Sequence, residues 1–376
     1  MRLHTIAKFG GILSIILFLI GVGMYWFAKL SEAGDGRHMD LLTLVPSDCI
    51  GVLETDNFDH FSNKFPQTSY AVQLDTLRDS GIVHNILNDV TKYSTIGAHR
   101  LGNQMNHMMV SFHSETDIHD VVVYFRMTKD AKKLLTQIVL GSDKAALIKK
   151  EEYRGERISV YPAGHTRFIS VYSGTGFLAV SYHKRLIEKV IDALKDDTSL
   201  RHDPNFSCVR QPKSANFMTF YGKAAALPIL ADKGDNCWSE FNIHMNSEVF
   251  YLSGSLLGQE NCFKKIQDRM DDIQIMSEEN FLVVSGQHKV DSCISEAIIA
   301  PHSTFFDECV SNLSREASYI MVADIDKVAS DLERYKSFIP QFVINNMGLF
   351  RSFILSVQIT KLENRLSHIF VFTYKG

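Results

Sequence analysis

Alternating apolar and polar positions recur along most of this chain, and they come in pairs. HMMVSFH (107–113) and HDVVVYFRM (119–127) flank the polar turn SETD. RFISVYS (167–173) and FLAVSYH (177–183) flank Gly174-Thr175-Gly176. EFNIHM (240–245) and EVFYLSGSLLG (248–258) flank Asn246-Ser247, and RSFILSVQI (351–359) and RLSHIFVFTY (365–374) turn near Glu363-Asn364. A period of two on both sides of a short polar turn predicts a β-hairpin. After three of these pairs the period changes. Ala131, Leu134, Leu135, Ile138 and Val139 share one helical face, as do Ile187, Val190, Ile191 and Leu194, and as do Phe263, Ile266, Met270 and Ile273. A second piece, one strand feeding a short helix, recurs at 49–61, 216–230 and 318–332.

These elements predict an α+β fold, with helices on one face of large antiparallel sheets built from repeated hairpin–helix units. The spacing of the units is irregular, which excludes a solenoid of fixed period. Two similar exported halves, 41–205 and 206–376, are expected to meet at a loop from Asp203-Pro204 to Pro212.

The first forty residues read differently. Between Lys8 and Lys29 runs FGGILSIILFLIGVGMYWFA, twenty uncharged residues, which at about 1.5 Å per residue match a bilayer core of roughly 30 Å. Tyr25, Trp26 and Phe27 gather at its outer end, where amphipathic rings favour the interface. The expectation is a cytoplasmic leader (1–8), a transmembrane helix (9–28) and a Gly- and acid-rich tether (29–40). A cleaved signal peptide is the alternative, because Ser31-Glu32-Ala33 offers small residues at peptidase spacing; its apolar region is ordinarily shorter. Arg2 and Lys8 precede the span, whereas Glu32, Asp35 and Asp40 outnumber Arg37 after it. The positive-inside rule then puts the N-terminus in the cytoplasm and the large domain in the periplasm or an equivalent space. An N-terminal membrane helix, a polar tether and then LVPSDCIGVLETDNF resembles a group of uncharacterised bacterial envelope proteins, single-pass and with an exported domain of unknown function. The resemblance implies a bacterial envelope location and brings no catalytic residues with it; the span and its flanking charges set the expected place as the inner (cytoplasmic) membrane.

Charge narrows the partners. The whole chain has 39 bases and 43 acids; without Arg2, Lys8 and Lys29, 36 bases face all 43 acids. A mildly acidic domain lacks the basic face that nucleic acid requires, so no nucleic acid is expected. The expected partners are the membrane, through the N-terminal helix, and an envelope protein or a lipid. The sequence does not specify an oligomeric state.

No nucleotide-binding, metalloprotease, serine-hydrolase or EF-hand motif is present. Catalytic, metal and cofactor residues are therefore all expected to be none. His107, His113 and His119 cluster along the first hairpin. With SETD as a four-residue loop, His113 pairs with Ile118 and His119 faces away; a five-residue loop would set His113 opposite His119. Solvent-facing histidines suit either register better than a metal site. Asp324 and Asp326 form a carboxylate pair at a strand end, where Asp326 as the N-cap of a helix starting at Lys327 is the simpler account. Cysteines stand at 49, 208, 237, 262, 293 and 309, with no C-x-x-C. They read either as buried thiols or as including a disulfide, with those from Cys237 to Cys309 the foremost candidates. The aromatic runs VFYL, FMTFY and HIFVFTY read as core, or as the lining of an apolar groove.

The function expected is a membrane-anchored, non-catalytic binding or scaffold protein of the bacterial envelope. The alternatives are an exported hydrolase with a site assembled from distant residues, and a carrier of lipid or hydrophobic peptide. A polar cleft would speak for the hydrolase. A large apolar cavity would speak for the carrier.

Overall fold

The computed structural model describes residues 39–73, 107–114, 117, 119–126, 149–163, 167–215, 217–223, 237–257, 260–272, 275–285, 303–314, 316–363 and 365–376. Among these described residues, fifteen strands are formed. In the first half they are β1 (Gly51–Thr55), β2 (Met108–Phe112), β3 (Val121–Arg126), β4 (Lys149–Tyr153), β5 (Glu156–Ala163), β6 (Arg167–Gly174) and β7 (Phe177–Ser181). The second half supplies β8 (Met218–Lys223), β9 (Trp238–Met245), β10 (Val249–Leu257), β11 (Met276–Glu278) and β12 (Phe281–Ser285), then β13 (Tyr319–Asp324), β14 (Phe353–Leu362) and β15 (Arg365–Tyr374).

All fifteen belong to one antiparallel sheet, in the order β11-β12-β13-β14-β15-β10-β9-β8-β1-β2-β3-β7-β6-β5-β4. The halves join where β1 pairs with β8, Gly51 opposite Gly222 and Thr55 opposite Met218. Read outward from that junction, the two sides share a plan. Each has a lone strand, then a hairpin, then its last strand, and then its earlier strands in descending order. Among the described strands, the second half carries one more.

This overturns the α+β expectation of a transmembrane helix followed by separate sheets of hairpin–helix units. The hairpins do not form sheets of their own, because β1 offers hydrogen-bonding edges to both β2 and β8 and so makes the ladder continuous. The helices among the described residues are mostly short, and they are not confined to one face. Helix α1 (Phe58–Lys64) follows β1, α2 (Lys184–Lys195) follows β7, and α3 (Pro204–Val209) links the halves. Beyond them come α4 (Glu260–Asp272), α5 (Thr304–Ser311), α6 (Ile325–Val328), α7 (Leu332–Tyr335), α8 (Gln341–Asn345) and α9 (Met347–Phe350). No described helix is long and apolar enough to cross a membrane, and the predicted span 9–28 lies outside the described residues. The helix predicted over 131–139 lies outside them too.

Strand alternation explains the cores. On β8 and β9, Tyr221 and Trp238 face one way and join Val52, Tyr124 and the buried stripe of α2: Leu186, Ile187, Val190 and Ile191. Phe241 faces the other way and packs with Phe281, Phe353, Phe370 and Phe372 under α6, α8 and α9. Phe250 and Phe372 stack with ring centroids 4.4 Å apart, and Phe370 and Phe372 are buried on one face, as the alternation of β15 requires. Gly254 is required where β10 passes β9: a Cβ there would lie 1.7 Å from the Glu240 carbonyl oxygen. The same carbonyl accepts a 2.8 Å hydrogen bond from Nε2 of the buried His368. A disulfide joins Cys237, just before β9, to Cys262 on α4. Cys49 and Cys309 are buried free thiols, and Cys208 is exposed.

The predicted link between halves is not a loop throughout. Asp203 caps α3 by accepting from the N–H groups of Asn205 and Phe206, with Pro204 at the first helical position.

Candidate functional site

The middle strands carry polar residues where a sheet this wide would ordinarily be apolar. Glu54 on β1 and Tyr221 on β8 share a face with Glu240 and Asn242 on β9; Thr219 pairs with both Glu54 and Asn242, and Tyr221 pairs with Glu240. Glu54 and Glu240 are only 5% and 3% exposed. A buried carboxylate is costly unless a cation meets it. Both cations come from the segment after α3, which crosses this face. Arg210 grips Glu54 through Nη2 at 2.8 Å and Nε at 3.3 Å. Lys213 pairs with Glu240 and donates to Asn242 Oδ1 at 3.2 Å, an oxygen that also accepts from Thr219. The ammonium lies 5.3 Å from the Tyr221 ring centroid. Burial pushes the Lys213 ammonium down to about 8, against the attraction of Glu54. Burial likewise lowers His107, which feels Arg126 nearby.

A cleft of about 450 Å³ opens beside this row, where β8 begins and β9 ends. His60 and Lys64 of α1 form one wall, Gln211 and Lys213 another, and His244 and Tyr251 the third. Its volume is that of a small-molecule site. His244 lies flat on Tyr251, 4.5 Å between centroids, and burial lowers its pKa, as does Lys64. The polar character of the cleft fits no apolar cargo, and of its charged side chains Lys213 and Glu240 are engaged with each other.

The three hairpin histidines diverge. The β2–β3 connection is longer than either register considered: His113 N donates to Asp120 O at 2.9 Å, so His113 faces Asp120. His113 is not solvent-facing, with a side chain only 4% exposed. Its Nε2 lies 2.9 Å from Ser111 Oγ and its Nδ1 3.7 Å from Asp48, which Lys189 also contacts. His113, and then Lys189, hold the Asp48 carboxyl well below the usual range. Serine, histidine and aspartate thus stand in a row, but Ser111 is fully buried and shares its hydroxyl with Tyr124, 2.9 Å away. A nucleophile must reach its substrate, so this row of contacts is a structural tie. His107 lies at the other end of β2, beside the Glu54 cluster. His119 contacts Asp117 at 3.1 Å and the Tyr182 ring.

The carboxylate pair is also placed differently. Asp324, not Asp326, caps the helix: α6 begins at Ile325, and Asp324 Oδ1 accepts from Asp326 N at 3.1 Å. Lys375 at the chain end bonds the same oxygen at 2.7 Å. Sequence reasoning passed over the Glu54–Arg210 and Glu240–Lys213 pairs. Glu54 interrupting the apolar side of β1 was the available signal, whereas its cation lies 156 residues away.

No protein-family model matches the chain, and no curated protein matches it. Among solved structures, crystal form I of TP0453 is 10% identical with a TM-score of 0.30, covering 64% of this chain and 88% of that one. Crystal form IV of TP0453 is 13% identical, with the same TM-score and 89% of its chain covered. Likeness at that level establishes no family.

Proposed function

We propose that this protein is a non-catalytic binding or scaffold protein of the bacterial envelope, working outside the cytoplasm. The observation that carries the proposal is the Cys237–Cys262 disulfide. Disulfides persist in oxidising compartments and are rare in the cytosol, where thiols are kept reduced. The core is extensive, so the bond fits a domain folded where oxidation is available rather than one too small to hold together otherwise. The long uncharged stretch between Lys8 and Lys29 supports export whether it is retained or removed. Binding is supported by the polar cleft between α1, β9 and the 210–213 segment. An apolar carrier is disfavoured because the aromatic runs that suggested a groove are spent in the core, Phe370 and Phe372 among them.

The test is thiol trapping in intact cells. Free thiols are blocked before lysis, and the state of Cys237 and Cys262 is then read by mass spectrometry. An alkaline phosphatase fused after Gly376 reports the compartment in parallel. A bonded pair together with an active phosphatase is expected. Two alkylated thiols with an inactive phosphatase would place the domain in the cytosol and overturn the proposal.

A further inference from the structure

We propose that Asp117, Asp120 and His183 bind a divalent transition-metal ion of the zinc class, which clips the β2–β3 connection to the start of α2. The inference rests on no part of the binding or scaffold proposal. The three residues come from two segments that the sheet brings together: β3 pairs with β7, Val123 opposite Val180, so the start of β3 lies beside the end of β7. Ser181 fixes that junction, its hydroxyl donating to Val121 O at 2.8 Å and accepting from His183 N at 3.1 Å. His183 Nε2 then stands 3.6 Å from Asp120 Oδ1 and 4.0 Å from Asp117 Oδ2. The three ligand atoms all lie within 4.8 Å of one another. Bonds of about 2.0–2.2 Å in a tetrahedral zinc site set ligand atoms roughly 3.5 Å apart, so little closing is needed.

Two further features favour an ion over an ordinary surface cluster. His183 holds the N-cap position of α2 yet makes no capping bond with its side chain; the ring is turned to the carboxylates instead. His119 N bonds Asp117 Oδ1 at 2.8 Å and its Nδ1 reaches the same oxygen, which orients the carboxylate from behind. An imidazole with two carboxylates and a position open to water suits zinc, cobalt or nickel. Calcium and magnesium want more oxygens than this site offers.

The experiment titrates the metal-depleted full chain with Zn²⁺ by calorimetry and with Co²⁺ by visible absorption, whose bands report coordination number. The variants are Asp120→Asn, half-buried, and His183→Gln, exposed, both near-isosteric, with folding checked by circular dichroism. His202→Gln, which removes a separate exposed imidazole paired with Asp197, is the control. One saturable equivalent is expected, with low-symmetry Co²⁺ bands and a zinc-raised Tm. Affinity should fall at least about tenfold in both site variants and stay unchanged in the control. Binding that survives His183→Gln, or that falls equally in His202→Gln, would mean scattered histidine binding and overturn the proposal. So would the absence of a saturable equivalent.

Discussion

At the scale of residues, single polar groups hold positions that the hydrophobic pattern assigns to the core. His368 is the clearest. Burial lowers its pKa to about 3, and its Nε2–H is committed to Glu240 O. The unfolded chain takes up a proton near 6.5, whereas the folded one resists until about 3. Stability is therefore complete above pH 6.5 and is lost as pH falls through that window, by up to about 1.4 kcal/mol per pH unit. Urea unfolding at several pH values should show this slope, and His368→Gln should flatten it. Asp324 makes a second prediction. It caps α6 and binds Lys375, so Asp324→Ala should cost about 1 kcal/mol or somewhat more in thermal or chemical unfolding. Asp326→Ala should cost less, the reverse of what spacing along the sequence suggests. The helix starts two residues earlier than Lys327, and only the bond from Asp326 N to Asp324 reveals it.

Elements were legible where both periodicity and a turn marked them. All four predicted hairpins form, and their strands are β2–β3, β6–β7, β9–β10 and β14–β15. The hairpin β4–β5 was missed because KKEEY has no apolar face to alternate. Its turn was nonetheless written in the chain: Arg154 and Gly155 take φ of 49° and 80°, the mirror-image turn that glycine favours. Arg154 holds the strained position while anchored to Asp192 of α2 and to Asp196, its C-cap. The charged β4 also suits its place at the sheet edge, where lysines and glutamates discourage pairing with another chain. The disulfide ties β9 to α4 across 25 residues. Closing a loop of that length stabilises by about 3 kcal/mol. The double variant Cys237→Ser with Cys262→Ser should lose about that much, measured against the oxidised parent; a loss below about 1 kcal/mol would mean that packing alone holds α4 in place.

On the scale of the whole molecule, sequence alone pointed to two similar halves but not to their union. Similarity of halves is local, carried by each hairpin's own alternation, whereas union depends on β1 meeting β8 across about 170 residues, a contact no periodicity encodes. Likewise Glu54 and Arg210 show no trace of each other until the chain folds. The shared ladder makes a prediction. Residues 41–205 and 206–376, produced separately, should each self-associate through the bared β1 or β8, and mixed together they should form a one-to-one complex by native mass spectrometry. Two monomers indifferent to each other would mean that the junction contributes little. The same junction has a consequence in time. A ribosome or translocon delivers the chain from its N-terminus, so β1 is in place long before β8 emerges. For that interval the first half presents an open row of amides to whatever strand passes. A chaperone that shields it, or a fast second half, decides whether the molecule completes itself or recruits a neighbour.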